Sequence, residues 1–163
     1  KLPRGMINSC IHGDEWIATA TVMAVMHRFL KKYGTNDAIT NLIQTRDIYL
    51  IPVVNPASYD IRTRYEDGED PNRSFPWPGE PNNKPTPNVN RMMNFFIDKK
   101  FNSVIEYHAS GRMVLMPWAY TANPMVEGDN GARHRNLIKK MGNVSNYQWG
   151  SVPDMVGYIC IQM

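Results

Sequence analysis

The sequence is short of cysteine, of long apolar runs and of any large surplus of one charge. Two cysteines in 163 residues cannot build the dense disulfide framework that small secreted domains use in place of a core. Both Cys10 and Cys160 lie in apolar, strand-like runs, the setting of buried free thiols, and we read neither as a bridge partner. The longest mostly apolar run, Ile17 to Met26, is broken by two threonines and closed by His27 and Arg28, so no membrane span is expected. Lys and Arg total 18 against 15 Asp and Glu, a net charge of +3, and the basic residues are scattered. Nucleic acid is therefore not the expected partner. Repeats and low-complexity tracts are absent. The opening Lys-Leu-Pro-Arg-Gly has neither an initiator Met nor an apolar signal core, so it carries no targeting information.

What is present suits one domain over residues 1–163, long enough for a sizeable core. Helical and strand-like periods alternate, which predicts an α/β fold: a mixed, mostly parallel sheet flanked by helices on both faces. A strand is expected over Met6–Ile11, and a turn at His12-Gly13-Asp14. A helix is expected from Glu15 to Tyr33, with Asp14 as N-cap and Val22, Met26, Phe29 and Tyr33 on its packed face. A shorter helix follows, capped near Asn36 or Asp37, then a buried strand over Ile48–Val54. Between Asn55 and Pro87 proline-rich, acidic and Asn-rich clusters predict a long surface loop of the kind that carries function. Beyond it come a helix over Val89–Lys99, strands over Ser103–His108 and Met113–Met116, and a helix over Gly131–Met141 stopped by Gly142.

Chemistry concentrates at His12, Glu15 and His108. A His ending one strand, a Glu opening the next helix and a second His ending another strand can converge above a sheet edge. Two imidazoles and one carboxylate leave a fourth position for water, the composition of a catalytic zinc site. His-x-x-Glu alone carries little weight, and His27 and His134 read as helix-surface residues. Glu106, two residues before His108 on the same strand face, is either a partner that orients a ligand or an exposed strand-end carboxylate. Arg62, Arg64, Asn72 and Arg73 cluster in the long loop, where guanidinium and amide groups can bind carboxylates or an oxyanion.

Several ordered motifs then assemble: Ile11-His12-Gly13-Asp14-Glu15-Trp16, Asn55-Pro56, Asp70-Pro71-Asn72-Arg73-Ser74-Phe75 and Tyr107-His108-Ala109-Ser110. Val114-Leu115-Met116-Pro117-Trp118-Ala119-Tyr120-Thr121 and Tyr147-Gln148-Trp149-Gly150-Ser151 follow. In this order the set resembles the zinc metallocarboxypeptidase family over nearly the whole chain. The resemblance implies one zinc ion on His12, Glu15 and His108, and a substrate carboxylate on Asn72 and Arg73. It also implies an oxyanion-stabilising Arg64, with Arg62 as the alternative register. Pro71 and Ala57-Ser58 depart from the family's usual residues and alter loop geometry more than ligand identity.

The implied activity is zinc-dependent hydrolysis of the C-terminal peptide bond of a peptide with a free carboxylate. The implied location is secreted or periplasmic, which no residue here decides. The resemblance also implies that the family's first strands would precede Lys1 and its general-base Glu and mobile Tyr would follow Met163, leaving the 163 residues without efficient turnover. Two other readings stand beside it: an amidohydrolase of the aspartoacylase and succinylglutamate desuccinylase group acting on N-acyl amino acids, and a carboxylate-binding domain without catalysis.

Overall fold

A computed structural model describes residues 1–122 and 128–158. The expectation for Cys160 lies outside those residues. The chain divides into two compact units, Lys1–Pro71 with Pro85–Ala109, and Asn72–Lys84 with Ser110–Met163.

The first unit is built on three parallel strands, β1 (Arg4–Ser9), β2 (Asp47–Ile51) and β3 (Ser103–Tyr107), in the order β2-β1-β3. Met6 of central β1 pairs with Tyr49 on one side and Val104 on the other, and Asn8 pairs with Ile51 and Glu106. Parallel neighbours need long crossovers. Helices α1 (Trp16–Lys32) and α2 (Asp37–Thr45) make the first, while α3 (Pro56–Asp60), a 3₁₀ turn (Pro71–Arg73) and α4 (Pro87–Lys99) lie in the second.

Helix α1 packs on all three strands through buried Ala18, Thr19 and Val22. The expected stripe continues half-buried through Met26 and Phe29 but stops there, because Tyr33 is the C-cap and is exposed. Asp14 does not cap the helix. The N-cap is Glu15, which makes no side-chain cap bond, its carboxylate being engaged elsewhere. Asn36 does cap α2, accepting from the Ile39 amide at 3.0 Å. Tyr49, Phe95 and Phe101 meet as edge-on and tilted rings with centroids 5.2–5.7 Å apart, a geometry that favours aromatic pairs beyond area burial alone.

The expected long loop is more structured than its composition suggests. Asn55 accepts from the Ser58 amide at 3.1 Å and Pro56 fills the first helical turn, so Asn-Pro reads as a helix start that its five residues hid from periodicity. Buried Glu66 accepts at Oε1 from both the amide and the Nδ2 of Asn88, each at 2.9 Å. It therefore caps α4 from a distant turn and places a carboxylate at the positive end of the helix.

In the second unit β4 (Met113–Met116) and β5 (Gln148–Ser151) pair in parallel, bridged by α5 (Asp129–Ser145) and followed by α6 (Val152–Val156). Its core gathers Ala119 and Val152 with Leu115 and Val156. Gly142 does not stop α5, which runs to an Asn146 cap with φ of 58°. A Cβ at Gly142 would lie 2.6 Å from the Trp149 ring, so this glycine serves helix-to-strand packing. Among the described residues no helix is long and apolar enough to cross a membrane.

Candidate metal centre

Strands β1 and β3 run side by side in parallel, so their C-terminal ends open onto one edge, the usual ligand-binding edge of open α/β sheets. After β1 the backbone turns through Cys10 at φ 59°. The turn is fixed from outside its own sequence. The Val54 amide donates to the Ser9 carbonyl at 3.0 Å, the Asn55 amide to that of Cys10 at 3.1 Å, and Asn55 Nδ2 to that of Ile11 at 3.4 Å. Gly13 then passes so close to α3 that a Cβ there would stand 2.1 Å from the Ser58 carbonyl carbon. Only glycine permits that approach.

This turn brings His12 and Glu15 together, and the end of β3 supplies His108. The Nδ1 of His12 lies 2.9 Å from Glu15 Oε1, and the Nδ1 of His108 lies 2.9 Å from Oε2. The Ala109 amide adds a hydrogen bond to Oε2 at 3.0 Å. One ligand atom from each of the three residues falls within 4.8 Å of the others. Burial alone would raise the Glu15 carboxyl, but hydrogen bonds from His108 and His12 outweigh it and hold it at about 2. Burial would lower His108, but Glu106 and Glu15 override that and push it up to about 10. With two Nδ1 atoms and a carboxylate converging from three directions, the donor set fits zinc, which favours tetrahedral N and O ligands and in catalytic sites keeps one position open.

Asp70 joins from the loop. Its Oδ1 is 3.0 Å from His12 Nε2, and its Oδ2 accepts from Arg64 Nε at 3.0 Å and Nη2 at 2.8 Å. Burial raises the Asp70 carboxyl, and the bonds from His12 and Arg64 outweigh it, leaving it below the ordinary carboxylate range. Arg64 Nη1 also reaches within 3.7 Å of Glu15 Oε1. Arg62, the alternative register, turns away and lays its guanidinium 4.6 Å from the centroid of exposed Trp16.

The first unit thus brings together His12, Glu15, Arg64 and His108. Asn72 and Arg73 belong to the second unit, on the 3₁₀ turn that follows Asp70 in the chain. Asn72 is buried, Arg73 Nη1 donates to the Asn72 carbonyl at 2.9 Å, and Asn83 Nδ2 donates to the carbonyls of Arg73 and Phe75 at 3.0 and 3.1 Å. Sequence reasoning gave Asp70 no role of its own. The available signal was an acid in the same motif as the Asn-Arg pair and a short chain away from Arg64.

A parallel α/β sheet that gathers two imidazoles and a carboxylate at its strand ends has the donor arrangement of a mononuclear zinc hydrolase. Residues 2–152 match the zinc carboxypeptidase family, and the chain belongs to that family. It is 28% identical over 149 residues to carboxypeptidase A2 of Mus musculus, covering 72% of this chain and 36% of that protein. Against metallocarboxypeptidase A of Trichophyton rubrum it is 24% identical over 194 residues, covering 97% of this chain and 45% of that protein. The chain thus spans between about a third and a half of the length of these curated relatives. Its fold matches the crystal structure of thrombin activatable fibrinolysis inhibitor with a TM-score of 0.78 at 20% identity, over 99% of this chain and 51% of that one. The fold is the zinc carboxypeptidase fold, in part.

Proposed function

We propose that the protein is a zinc carboxypeptidase acting on peptides with a free C-terminal carboxylate. His12, Glu15 and His108 hold one zinc ion, Arg64 stabilises the oxyanion, and Asn72 with Arg73 binds the substrate carboxylate. The observation that carries this reading is the single buried Glu15 carboxylate, each of whose oxygens faces the Nδ1 of a different strand-end histidine. Bound there, zinc would act as a Lewis acid and lower the pKa of a water it carries.

The chain's own residues supply the rest. Asp70 fixes the His12 ring through Nε2 and clasps Arg64 by two nitrogens, so ligand and guanidinium are oriented by the same carboxylate. A guanidinium held in place before reaction stabilises developing negative charge without reorganising. Arg73 suits bidentate recognition of a carboxylate. No general base is assigned among the described residues. Glu15 is engaged by both histidines, and Asp70 by His12 and Arg64. A positioned base contributes about 10²–10⁴-fold, and neither of these two engaged carboxylates is placed to supply it.

Metal analysis of the purified protein should find about one zinc per chain, lost in a His12→Ala, His108→Ala double variant. Full occupancy in that variant would remove the ligand assignment. A blocked dipeptide with a free carboxylate should bind more tightly than its amide, and Arg73→Ala should abolish the difference. A second reading, an amidohydrolase of N-acyl amino acids, is favoured by the short connection between Arg64 and Asn72, which contains a turn closed by reciprocal Glu66 and Glu69 backbone bonds. Tighter binding of N-acyl amino acids than of peptides would select it.

A further inference from the structure

His108 Nδ1 faces Glu15, and Nε2, across the ring, lies toward Glu106. That residue precedes His108 by two positions and shares its face of the sheet. Its Oε2 stands 3.8 Å from His108 Nε2, an ion-pair approach slightly longer than a hydrogen bond. Its Oε1 is buried and without a hydrogen-bond partner. On the adjacent strand Asn8 occupies the same register position. Asn8 is fully buried, and neither its Nδ2 nor its Oδ1 has a hydrogen-bond partner among the described residues. Glutamate has low strand propensity, and carboxylates are seldom buried unless paired. An acid and an amide side by side inside a parallel sheet therefore call for a polar task.

His12 shows what the task is. Its Nδ1 faces Glu15 while its Nε2 is fixed by Asp70 at 3.0 Å. His108 repeats the pattern, with Nδ1 on Glu15 and a different carboxylate on the Nε2 side. Glu106 approaches from the side of the ring remote from Nδ1, a position that suits orientation of the imidazole.

We propose that Glu106, backed by Asn8, is the positioning residue of His108: its carboxylate keeps the imidazole proton on Nε2 and so presents Nδ1 to the metal. Asn8 Nδ2 and Glu106 Oε1, at paired register positions, are both without a hydrogen-bond partner among the described residues. The inference rests on the zinc reading above and extends it to a carboxylate-histidine pair on each of the two imidazole ligands. Ligating histidines generally donate their second N–H to such a partner, and losing that partner typically weakens metal affinity by about 10–100-fold.

The test uses the 163-residue protein with zinc alone as the probe. Zinc affinity is measured by competition with a chromogenic chelator, metal-free stability by urea unfolding, and the His108 ring state by long-range proton–nitrogen correlation NMR. In the zinc-loaded parent the His108 proton should reside on Nε2. In Glu106→Ala affinity should fall about 10–100-fold, and the Nε2–H resonance of the zinc-loaded protein should shift as its carboxylate partner is lost. Glu106→Gln, which keeps the shape and an acceptor, should fall less and carries the test if the alanine variant does not fold. Asn8→Leu gives the sharpest contrast: removing two unpartnered buried polar atoms should leave metal-free stability equal or higher while zinc affinity drops. Affinity within about threefold of the parent in both Glu106 variants, below the roughly 10-fold floor for such partners, with the Nε2–H resonance unshifted, would overturn the inference. If the parent binds no zinc, or the His12→Ala, His108→Ala double variant binds it undiminished, the zinc reading falls and this inference with it. Binding lost in that double variant but intact in Glu106→Ala refutes this inference alone.

Discussion

Replacing Gly13 by alanine sets two opposing effects against each other, and the structure decides the sign. Gly13 is not among the glycines with positive φ, so alanine can adopt its backbone conformation. On that ground alone the substitution would stabilise the protein by about 0.4–1 kcal/mol, through a less disordered unfolded chain. Against it stands the α3 backbone. A Cβ would lie 2.1 Å from the Ser58 carbonyl carbon, 2.2 Å from its oxygen and 2.4 Å from the Tyr59 nitrogen. Carbon atoms pack at about 3.5–4 Å, so the turn and α3 must separate by more than about 1 Å. Neither can do so freely, because Asn55 caps α3 and also donates to the Ile11 carbonyl. Overpacking of this kind costs about 1–3 kcal/mol and exceeds the entropic gain. The displaced turn also carries His12, and a 1 Å misplacement is of the order that costs about 10²-fold in a positioned site. Urea unfolding should therefore show Gly13→Ala less stable than the parent by about 1–2 kcal/mol, with zinc affinity reduced as well. Gly34→Ala is the control. With φ of +77° and open space around its Cβ, it should cost about 1–2 kcal/mol in backbone strain and leave zinc binding untouched. Equal or raised stability in Gly13→Ala with unchanged zinc affinity would refute the close-approach argument.

Asp70→Asn should weaken zinc binding by about 10–100-fold and loosen Arg64, and a chelator competition within about threefold of the parent, well inside that range, would count against it. In the metal-free protein the Glu15 carboxyl is held at about 2 against an ordinary 4.5. A depressed carboxyl gives stability that is complete above the ordinary value and is lost as pH falls toward the folded one, here up to about 3 kcal/mol between pH 4.5 and 2. Urea unfolding with chelator present should therefore weaken over that window, and stability that holds flat or rises would contradict it. Glu66→Ala removes the acceptor from the first turn of α4 and should destabilise by about 0.5–2 kcal/mol, with an unchanged urea midpoint as the contrary result.

The parts legible in the sequence were those with a local signature. Apolar period set α1 and α4, an apolar run set β2, which is a half-buried edge strand of its sheet, and His12, Glu15 and His108 were visible because each ends a strand or opens a helix. The strand expected to run to Val54 ends at Ile51, because Pro52 has no amide to give to the ladder. What stayed hidden depends on distant partners. Asp70 contacts a histidine 58 positions away, and no spacing rule links them. Glu66 as a helix cap lies 22 residues from the amide it serves. Asp14 looked like the N-cap because Asp commonly plays that part, but Glu15 holds the position and spends its carboxylate on the histidines. Gly142 carried the sequence mark of a helix stop, whereas its real constraint is the Trp149 ring, brought near where α5 folds back into β5 and the Tyr147 amide donates to the Gly142 carbonyl at 3.0 Å.

Asn55 gives the metal centre a timetable as well as a shape. One buried amide caps α3, donates to the turn bearing His12 and accepts from Asn88 at the start of α4 at 3.1 Å. His12 and Glu15 are only three residues apart, yet the turn between them is fastened by a residue that arrives 44 positions after Ile11, and His108 comes later still. A nearby pair is thus converted into a site of high contact order, assembled only when long-range pairings close. Metal capture by this chain should therefore track completion of the three-stranded sheet, making the rate of zinc uptake during refolding a clock for the first unit.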